Sequence, residues 1–121
     1  MTKAKEKLVL RMAEIIRQQI LSIGKSKVAS WGVNSSKCGI TAENNPFLAF
    51  KVNGLLHAGI VQVVYMPDDT YTVIFFNQSN DIVNKMDDVY CMELGEKIDL
   101  FVEYTGDDES YRKELEKRNL I

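Results

Sequence analysis

The sequence contains few of the residues on which recognisable catalytic and metal sites depend. It has one histidine, two cysteines and two prolines. Cys38 and Cys91 lack the paired spacing of a metal-binding motif, and the glycines form neither a phosphate-binding loop nor a dinucleotide fingerprint. We therefore predict no metal, no cofactor and no catalytic site of known pattern.

Long apolar runs are also absent. No segment approaches the roughly 18 uninterrupted apolar residues that indicate a transmembrane helix. The N-terminus begins with lysines, as a signal peptide does, but Arg11 and Glu14 interrupt the apolar residues that follow. We expect a cytoplasmic protein that is not exported, does not enter a membrane and keeps its cysteines reduced.

The composition is that of an ordinary globular protein. Apolar residues make up 45% and charged residues 26% of the 121-residue chain, which argues against disorder. This length is typical of one domain. We predict a single domain over residues 1–121 with a core at about 4–104, while 105–121 form either a charged tail or a short docked helix.

Apolar residues at three- and four-residue steps predict an amphipathic helix over 4–23. The expected apolar stripe consists of Leu8, Met12, Ile15, Ile16, Gln19, Ile20 and Ile23. Gly24 follows at the position where a left-handed C-terminal cap is expected.

The middle of the chain predicts a sheet. Strands are expected at 28–33, 47–52, 55–66 and 71–76, with a brief strand at 39–41 and another at either 82–83 or 89–90. Asn53-Gly54 predicts a two-residue type I′ hairpin turn, which would pair Phe50 with His57.

Two strands, 60–65 and 73–76, are apolar on both faces, which is typical of strands covered on both sides. A second helix is expected at 91–104, capped by Asp87 or Asp88, with the carboxylates of Glu93, Glu96, Asp99 and Glu103 facing water. One amphipathic helix cannot cover two faces, so this second helix or another subunit must complete the cover. The expected class is α+β, with an N-terminal helix, an antiparallel sheet of three to five strands and a C-terminal helix.

Charge is distributed unevenly along the chain. Residues 1–28 hold seven cations and two carboxylates, a net charge of +5, whereas the remainder holds eight cations and fifteen carboxylates, a net charge of −7. The cations of the first segment are Lys3, Lys5, Lys7, Arg11, Arg17, Lys25 and Lys27. Either this segment lies near acidic segments of the same chain, or it offers a basic face to an anionic partner such as nucleic acid.

His57 is the only histidine, so any histidine-dependent chemistry would have to use it. The predicted turn would place its imidazole on the face that carries Phe50 and Val52. A catalytic histidine needs a carboxylate or a nucleophile beside it, and the sequence provides no sign of one. A packed histidine is therefore the main interpretation, and a catalytic one the lesser alternative.

Four short motifs together resemble an uncharacterised family. They are Ser30-Trp31-Gly32, the run from Val52 to Gly59, Tyr71-Thr72-Val73 and Val89-Tyr90-Cys91. In these motifs the chain resembles small proteins of gut Bacteroidetes that are often found in phage-derived or mobile regions of the genome. The resemblance covers about residues 5–104 and implies no activity and no functional residues.

Three functions are expected, in order of preference. The first is a non-enzymatic protein-interaction or assembly module that binds another protein or a second copy of itself. The second is a binder of nucleic acid or another polyanion through the basic N-terminal helix, and the third is a small hydrolase centred on His57. The residues expected to contact a partner are Trp31, His57, Lys5, Arg11, Arg17, Lys25 and Lys27.

Overall fold

The computed structural model describes residues 3–103 and 108–117, and it confirms the α+β class. The helices are α1 (Lys3–Leu21), α2 (Lys25–Ser30), α3 (Leu94–Val102) and α4 (Asp108–Lys117), and a 3-10 turn (Cys91–Glu93) precedes α3. The strands are β1 (Ser36–Ile40), β2 (Pro46–Asn53), β3 (Ala58–Tyr65), β4 (Tyr71–Phe76) and β5 (Ile82–Val89). They form one antiparallel sheet in the order β1-β2-β3-β4-β5, so each strand pairs with its neighbour in sequence.

Helix α1 is the expected N-terminal helix, but its buried stripe differs from the predicted one, which contained Ile16 and Ile20 and lacked Val9 and Ala13. Its buried residues are Val9, Ala13, Ile16 and Ile20. Leu8 and Ile15, which belong to the predicted stripe, are 51% and 37% exposed. The helix contacts β1 and β2, and part of its apolar surface extends beyond these strands.

The predicted strand at 28–33 is wrong, because this segment forms the end of α2 and the turn that follows it. Ala29 and Val33 are exposed, so the alternation that indicated a strand does not bury a face. Gly24 does not make the expected left-handed cap, since its φ of 115° and ψ of 138° lead the chain directly into α2. What the segment buries is the side chain of Trp31.

The hairpin of β2 and β3 has the predicted strands but a different turn. Asn53 pairs with Ala58, so residues 54–57 form the loop, and Gly54 lacks the positive φ that a type I′ turn needs. Two backbone N–H groups of this loop donate hydrogen bonds to the carbonyl oxygen of Val102. The loop is longer than predicted because it docks on the end of α3.

The two edge strands are longer than the sequence indicates. Strand β1 overlaps the brief strand predicted at 39–41 at its last two residues. Strand β5 includes 82–83 and ends at Val89, so the two alternatives belong to one element that stops before Tyr90. Asp87 and Asp88 lie in or beside the last residues of β5 and cap no helix. The capping role belongs instead to Glu93, whose side chain accepts a 3.0 Å hydrogen bond from the backbone N–H of Tyr90.

Helices α1 and α3 pack on the same face of the sheet and enclose the core there. The helical members of the core are Ala13, Ile16, Ile20, Leu94, Ile98 and Val102, which meet alternate residues of β2, β3 and β4. Gly95 permits the close approach of the helices, since a Cβ at this position would lie 2.9 Å from the carbonyl oxygen of Ile20. Because α3 covers the face that α1 covers, it does not complete the cover of the other face.

The C-terminal segment contains α4, where the hydroxyl of Tyr111 donates a 2.7 Å hydrogen bond to Glu103. Within the predicted segment 105–121, residues 108–117 form this helix, and the others lie outside the described residues. Among the helices described, none has both the length and the apolar character needed to cross a membrane.

Candidate functional site

The face of the sheet opposite the core carries three rows of side chains. We call the surface that these three rows form the open face. Direct pairing across five strands forms the middle row of Lys37, Ala49, Gln62, Ile74 and Lys85. One flanking row consists of Lys51, Ile60, Phe76 and Ile82. The other consists of Phe47, Val64, Thr72 and Asp87, the last two being joined by a hydrogen bond.

The apolar centre of the open face lies beside Gln62 on the central strand and is only partly covered, although Ala49 and Val64 next to it are buried. Ile60, Ile74 and Phe76 are half-buried, although they lie on inner strands of the sheet. On the opposite face of the same strands, Val63 and Val73 are completely buried. The two faces differ because the described helices that contact the sheet pack on one of them only.

Three lysines lie beside this apolar centre. Lys37 on β1, Lys51 on β2 and Lys85 on β5 all have exposed side chains. Nζ of Lys85 lies 3.9 Å from Oδ1 of Asp87, and this oxygen also accepts a 3.1 Å hydrogen bond from Thr72. The three rows hold three lysines and one aspartate, a net charge of +2 in a chain whose net charge is −2. Asp68 and Asp88 line a hollow beside Thr72 and Asp87, so the basic character belongs to the part of the open face around Lys37, Lys51 and Lys85.

Two hollows shape one end of the open face. The first, about 310 Å³, is lined by Ser35, Ser36, Lys37, Ala49, Phe50, Lys51 and Ile60. The second, about 450 Å³, is lined mainly by polar residues at the strand ends, including Asn34, Asn53, Asn77 and Asn80. Lys51 and Ile60 border both, so the apolar centre continues into a concave polar rim.

His57 lies in the β2–β3 loop, and its predicted pairing with Phe50 is wrong because Phe50 pairs with Val61. The side chain is 8% exposed, and its ring centroid lies 5.8 Å from that of Phe75 and 5.1 Å from that of Phe101. Its buried Nε2 has no hydrogen-bond partner among the described residues. Burial lowers the pKa of His57, so the neutral imidazole is favoured.

Two carboxylates predicted to face water are buried on α3 and hold distant segments together. Asp99 accepts a 2.7 Å hydrogen bond from the indole Nε1 of Trp31. Glu103 accepts a 2.8 Å bond from the backbone N–H of Leu55 and the bond from Tyr111. Burial raises the pKa of Tyr111 to about 12, and the bond to Glu103 adds to the rise. These polar groups are occupied in stabilising the fold.

The other predicted partner-binding residues do not converge with the open face. Trp31 is fully buried in the core, so its side chain does not reach the surface. The cations of the N-terminal segment belong to α1 and α2, on the helical side of the sheet. Arg17 pairs with Glu14 at 2.9 Å and Lys5 bonds to Asn44, while Lys3, Lys7, Arg11, Lys25 and Lys27 are exposed.

The residues that define the open face were not predicted as site residues. Sequence patterning does show that Ile74 and Phe76 belong to a strand with two apolar faces. Lys37 and Lys85, however, lie in segments whose strands were incompletely recognised, and only the register aligns them in one row. The sequence therefore indicated an apolar face without a covering element, but it did not indicate which charged residues surround that face.

Within residues 3–103 and 108–117, no three histidine, cysteine, aspartate or glutamate side chains come together in a way that would hold a metal ion. The sequence matches no protein-family model, and comparisons with curated proteins and with solved structures found no match either. The candidate site is therefore defined by its geometry and chemistry alone.

Proposed function

We propose that this chain is a non-enzymatic protein-binding module and that the open face is its binding surface. The observation that carries the proposal is the partial exposure of Ile60, Ile74 and Phe76 on inner strands of the sheet, whose other face buries Val63 and Val73 completely. An apolar patch bounded by charged side chains is typical of a surface that contacts another protein.

The surroundings of His57 support binding over hydrolysis. A histidine that acts as a base needs a carboxylate to orient it or a nucleophile to activate. Within the described part of the chain, Nε2 of His57 has no hydrogen-bond partner, and the ring packs against Phe75 and Phe101 instead. The residue resembles a core histidine more than a catalytic one.

The test uses two matched substitutions on opposite sides of the sheet. Ile74→Glu places a carboxylate in the centre of the open face, whereas Leu10→Glu places one on α1 at a side chain that is 62% exposed. Tagged wild type and both variants are incubated with an extract of the cells that produce the protein, and retained proteins are quantified by mass spectrometry. We expect a set of proteins that wild type and Leu10→Glu retain and Ile74→Glu loses at least about fivefold, which is roughly 1 kcal/mol of binding.

Circular dichroism and urea unfolding establish that both variants are folded. If the retained proteins are the same for all three forms, and none of the forms self-associates, the open face is not a binding surface.

A second candidate function is supported by the exposed cations of α1 and α2. Lys3, Lys7, Arg11, Lys25 and Lys27 form a basic side away from the open face, and nucleic acid is the anionic partner that such a segment favours. Binding of labelled RNA or DNA through this side would weaken steeply with salt and would be lost in Arg11→Glu/Lys25→Glu. It would be unchanged in Ile74→Glu, which separates the two candidates.

A further inference from the structure

The edge lysines set the width available on the open face. Lys37 and Lys85 are the ends of one row that crosses five strands. At about 4.8 Å for each strand spacing, their Cα atoms are roughly 19 Å apart. An α-helix with its side chains is about 10–12 Å across. One helix centred between the edge lysines leaves room for a lysine side chain on each of its flanks.

The length of the strands sets the length of such a helix. Strands β2 and β3 contain eight residues each. At about 3.3 Å for each residue they extend roughly 26 Å, a distance that an α-helix covers in about 17 residues. An antiparallel sheet commonly leaves one face to water, but here that face carries apolar side chains that a helix could cover. The open face therefore has the dimensions of a missing helical layer.

The charges on the open face define the sequence of the helix that fits it. Ile60, Ile74 and Phe76 would meet an apolar stripe, while Lys37 and Lys85 lie at the two flanks of a helix aligned with the strands. Carboxylates on both flanks complement these lysines. We infer that the partner of the open face is an amphipathic α-helix of another protein, with acidic residues on either side of its apolar stripe. This inference rests on the proposed function.

A second copy of this chain fits the open face less well. A two-fold axis along the strands places β1 over β5, which sets Lys37 against Lys85 of the other copy. An axis across the strands places β1 over β1, which sets Lys37 against Lys37. Either arrangement, centred on the middle row, opposes like charges, and opposed like charges are costly in an interface.

Single-stranded nucleic acid also fits the open face less well than an acidic helix. Binding without base pairing relies on aromatic platforms for successive bases and often on arginine. Here the centre is largely aliphatic, the rings of Phe47 and Phe76 lie on non-adjacent strands, and the cations are lysines. A helix uses the aliphatic centre more fully.

The experiment selects displayed random 17-residue peptides on the wild-type chain and on two double variants. Lys37→Glu/Lys85→Glu reverses the edges of the open face, and Lys97→Glu/Lys113→Glu makes the same charge change at exposed lysines of α3 and α4. We expect peptides with apolar residues at three- and four-residue steps and acidic flanks from wild type and from the second variant. The first variant should select basic flanks instead.

Synthetic copies of the selected peptides give the quantitative readout. An acidic-flanked peptide should bind wild type about tenfold more tightly than Lys37→Glu/Lys85→Glu at low salt, and the ratio should shrink at high salt. Circular dichroism should show the peptide becoming helical on binding. Gln62→Glu, which changes charge with almost no change of shape in the middle row, should also weaken it.

Three results would overturn the inference of an acidic helix but leave the proposed function in place, as long as Ile74→Glu abolishes the binding and so shows that the open face is occupied. They are peptides with alternating apolar residues, flanks without acidic enrichment, or a wild-type dimer in light scattering. Displacement by single-stranded RNA would overturn it in favour of nucleic acid. If selected peptides bind Ile74→Glu as tightly as wild type, they do not occupy the open face, and with a monomeric wild type the proposed function fails as well.

Discussion

Replacing Glu103 with alanine should destabilise the protein more than any substitution of an exposed carboxylate. Its side chain is 6% exposed and accepts hydrogen bonds of 2.8 Å from the backbone N–H of Leu55 and 2.7 Å from the hydroxyl of Tyr111. It thus joins the β2–β3 loop and α4 to the end of α3. The substitution removes the acceptor for both donors at once.

The magnitude follows from what happens to each donor. The N–H of Leu55 is buried, and a buried donor without an acceptor costs about 1–3 kcal/mol. The hydroxyl of Tyr111 is only half-buried and can turn to water, so its lost bond contributes about 1 kcal/mol. We expect Glu103→Ala to lower the free energy of unfolding by about 2–4 kcal/mol. Glu103→Gln keeps one acceptor oxygen, enough for the buried N–H of Leu55, and places an NH2 donor beside the hydroxyl of Tyr111, which can turn to accept from it. This variant should lower the free energy of unfolding by about 1 kcal/mol.

The assay is urea unfolding followed by the fluorescence of Trp31, the only tryptophan, which is completely buried. Glu96→Ala is the matched control, because Glu96 lies on the same helix with an exposed side chain. It should change the free energy of unfolding by no more than about 0.5 kcal/mol. Tyr111→Phe, measured alone and combined with Glu103→Ala, separates the contribution of α4.

Equal stabilities for Glu103→Ala and Glu96→Ala would refute the reasoning, since Glu103 would then hold nothing. If Tyr111→Phe costs the same in the presence and absence of the Glu103 side chain, the coupling between α4 and α3 is absent and the hydrogen bond does not form in solution.

Three further predictions concern groups elsewhere in the fold. Burial lowers the pKa of His57, so the stability that its neutral imidazole provides should be fully present above about pH 6.5 and should be lost as the pH falls below that value. Urea unfolding at several pH values should show a weaker pH dependence for His57→Gln. An unchanged profile would contradict this prediction. Burial raises the pKa of Tyr71 to about 12, so an ultraviolet titration should lose a late component in Tyr71→Phe. The stability that the neutral phenol provides should be fully present below about pH 10 and should be lost progressively as the pH rises to about 12. Gly95→Ala should lower the urea midpoint despite alanine's better helix propensity, because its Cβ would lie 2.7 Å from Cγ2 of Ile23; an equal or higher midpoint would mean that α1 and α3 are not so close.

Patterns confined to neighbouring residues were sufficient for much of the fold. The apolar period of residues 4–23 predicted α1, and the apolar runs around Asn53-Gly54 predicted β2 and β3. The turn itself was predicted wrongly, because its geometry depends on Val102, whose carbonyl oxygen binds the loop from far along the chain. No local pattern contains that contact.

The polar interior was the part least accessible from sequence. Asp99 and Glu103 are spaced as a solvent-facing pair on a helix, and their burial depends on donors from Trp31 and Leu55. For the candidate site, the sequence indicated the uncovered apolar face but not the lysines at its edges. The two apolar faces of 73–76 indicated a missing cover, but the row that joins Lys37 to Lys85 depends on the register of four strand pairs.

The order in which the elements occur along the chain has a consequence for how it folds during synthesis. The strands form a meander of sequence neighbours, so the sheet can assemble by successive hairpins with low contact order. Its core face, however, is closed by α1 from one end of the chain and by α3 from the other. Until α3 has emerged from the ribosome, a nascent sheet presents apolar residues on both faces, which is the condition under which partly folded chains associate wrongly. The nascent chain should therefore be most dependent on chaperones between the completion of β4 and the docking of Val102 on the β2–β3 loop.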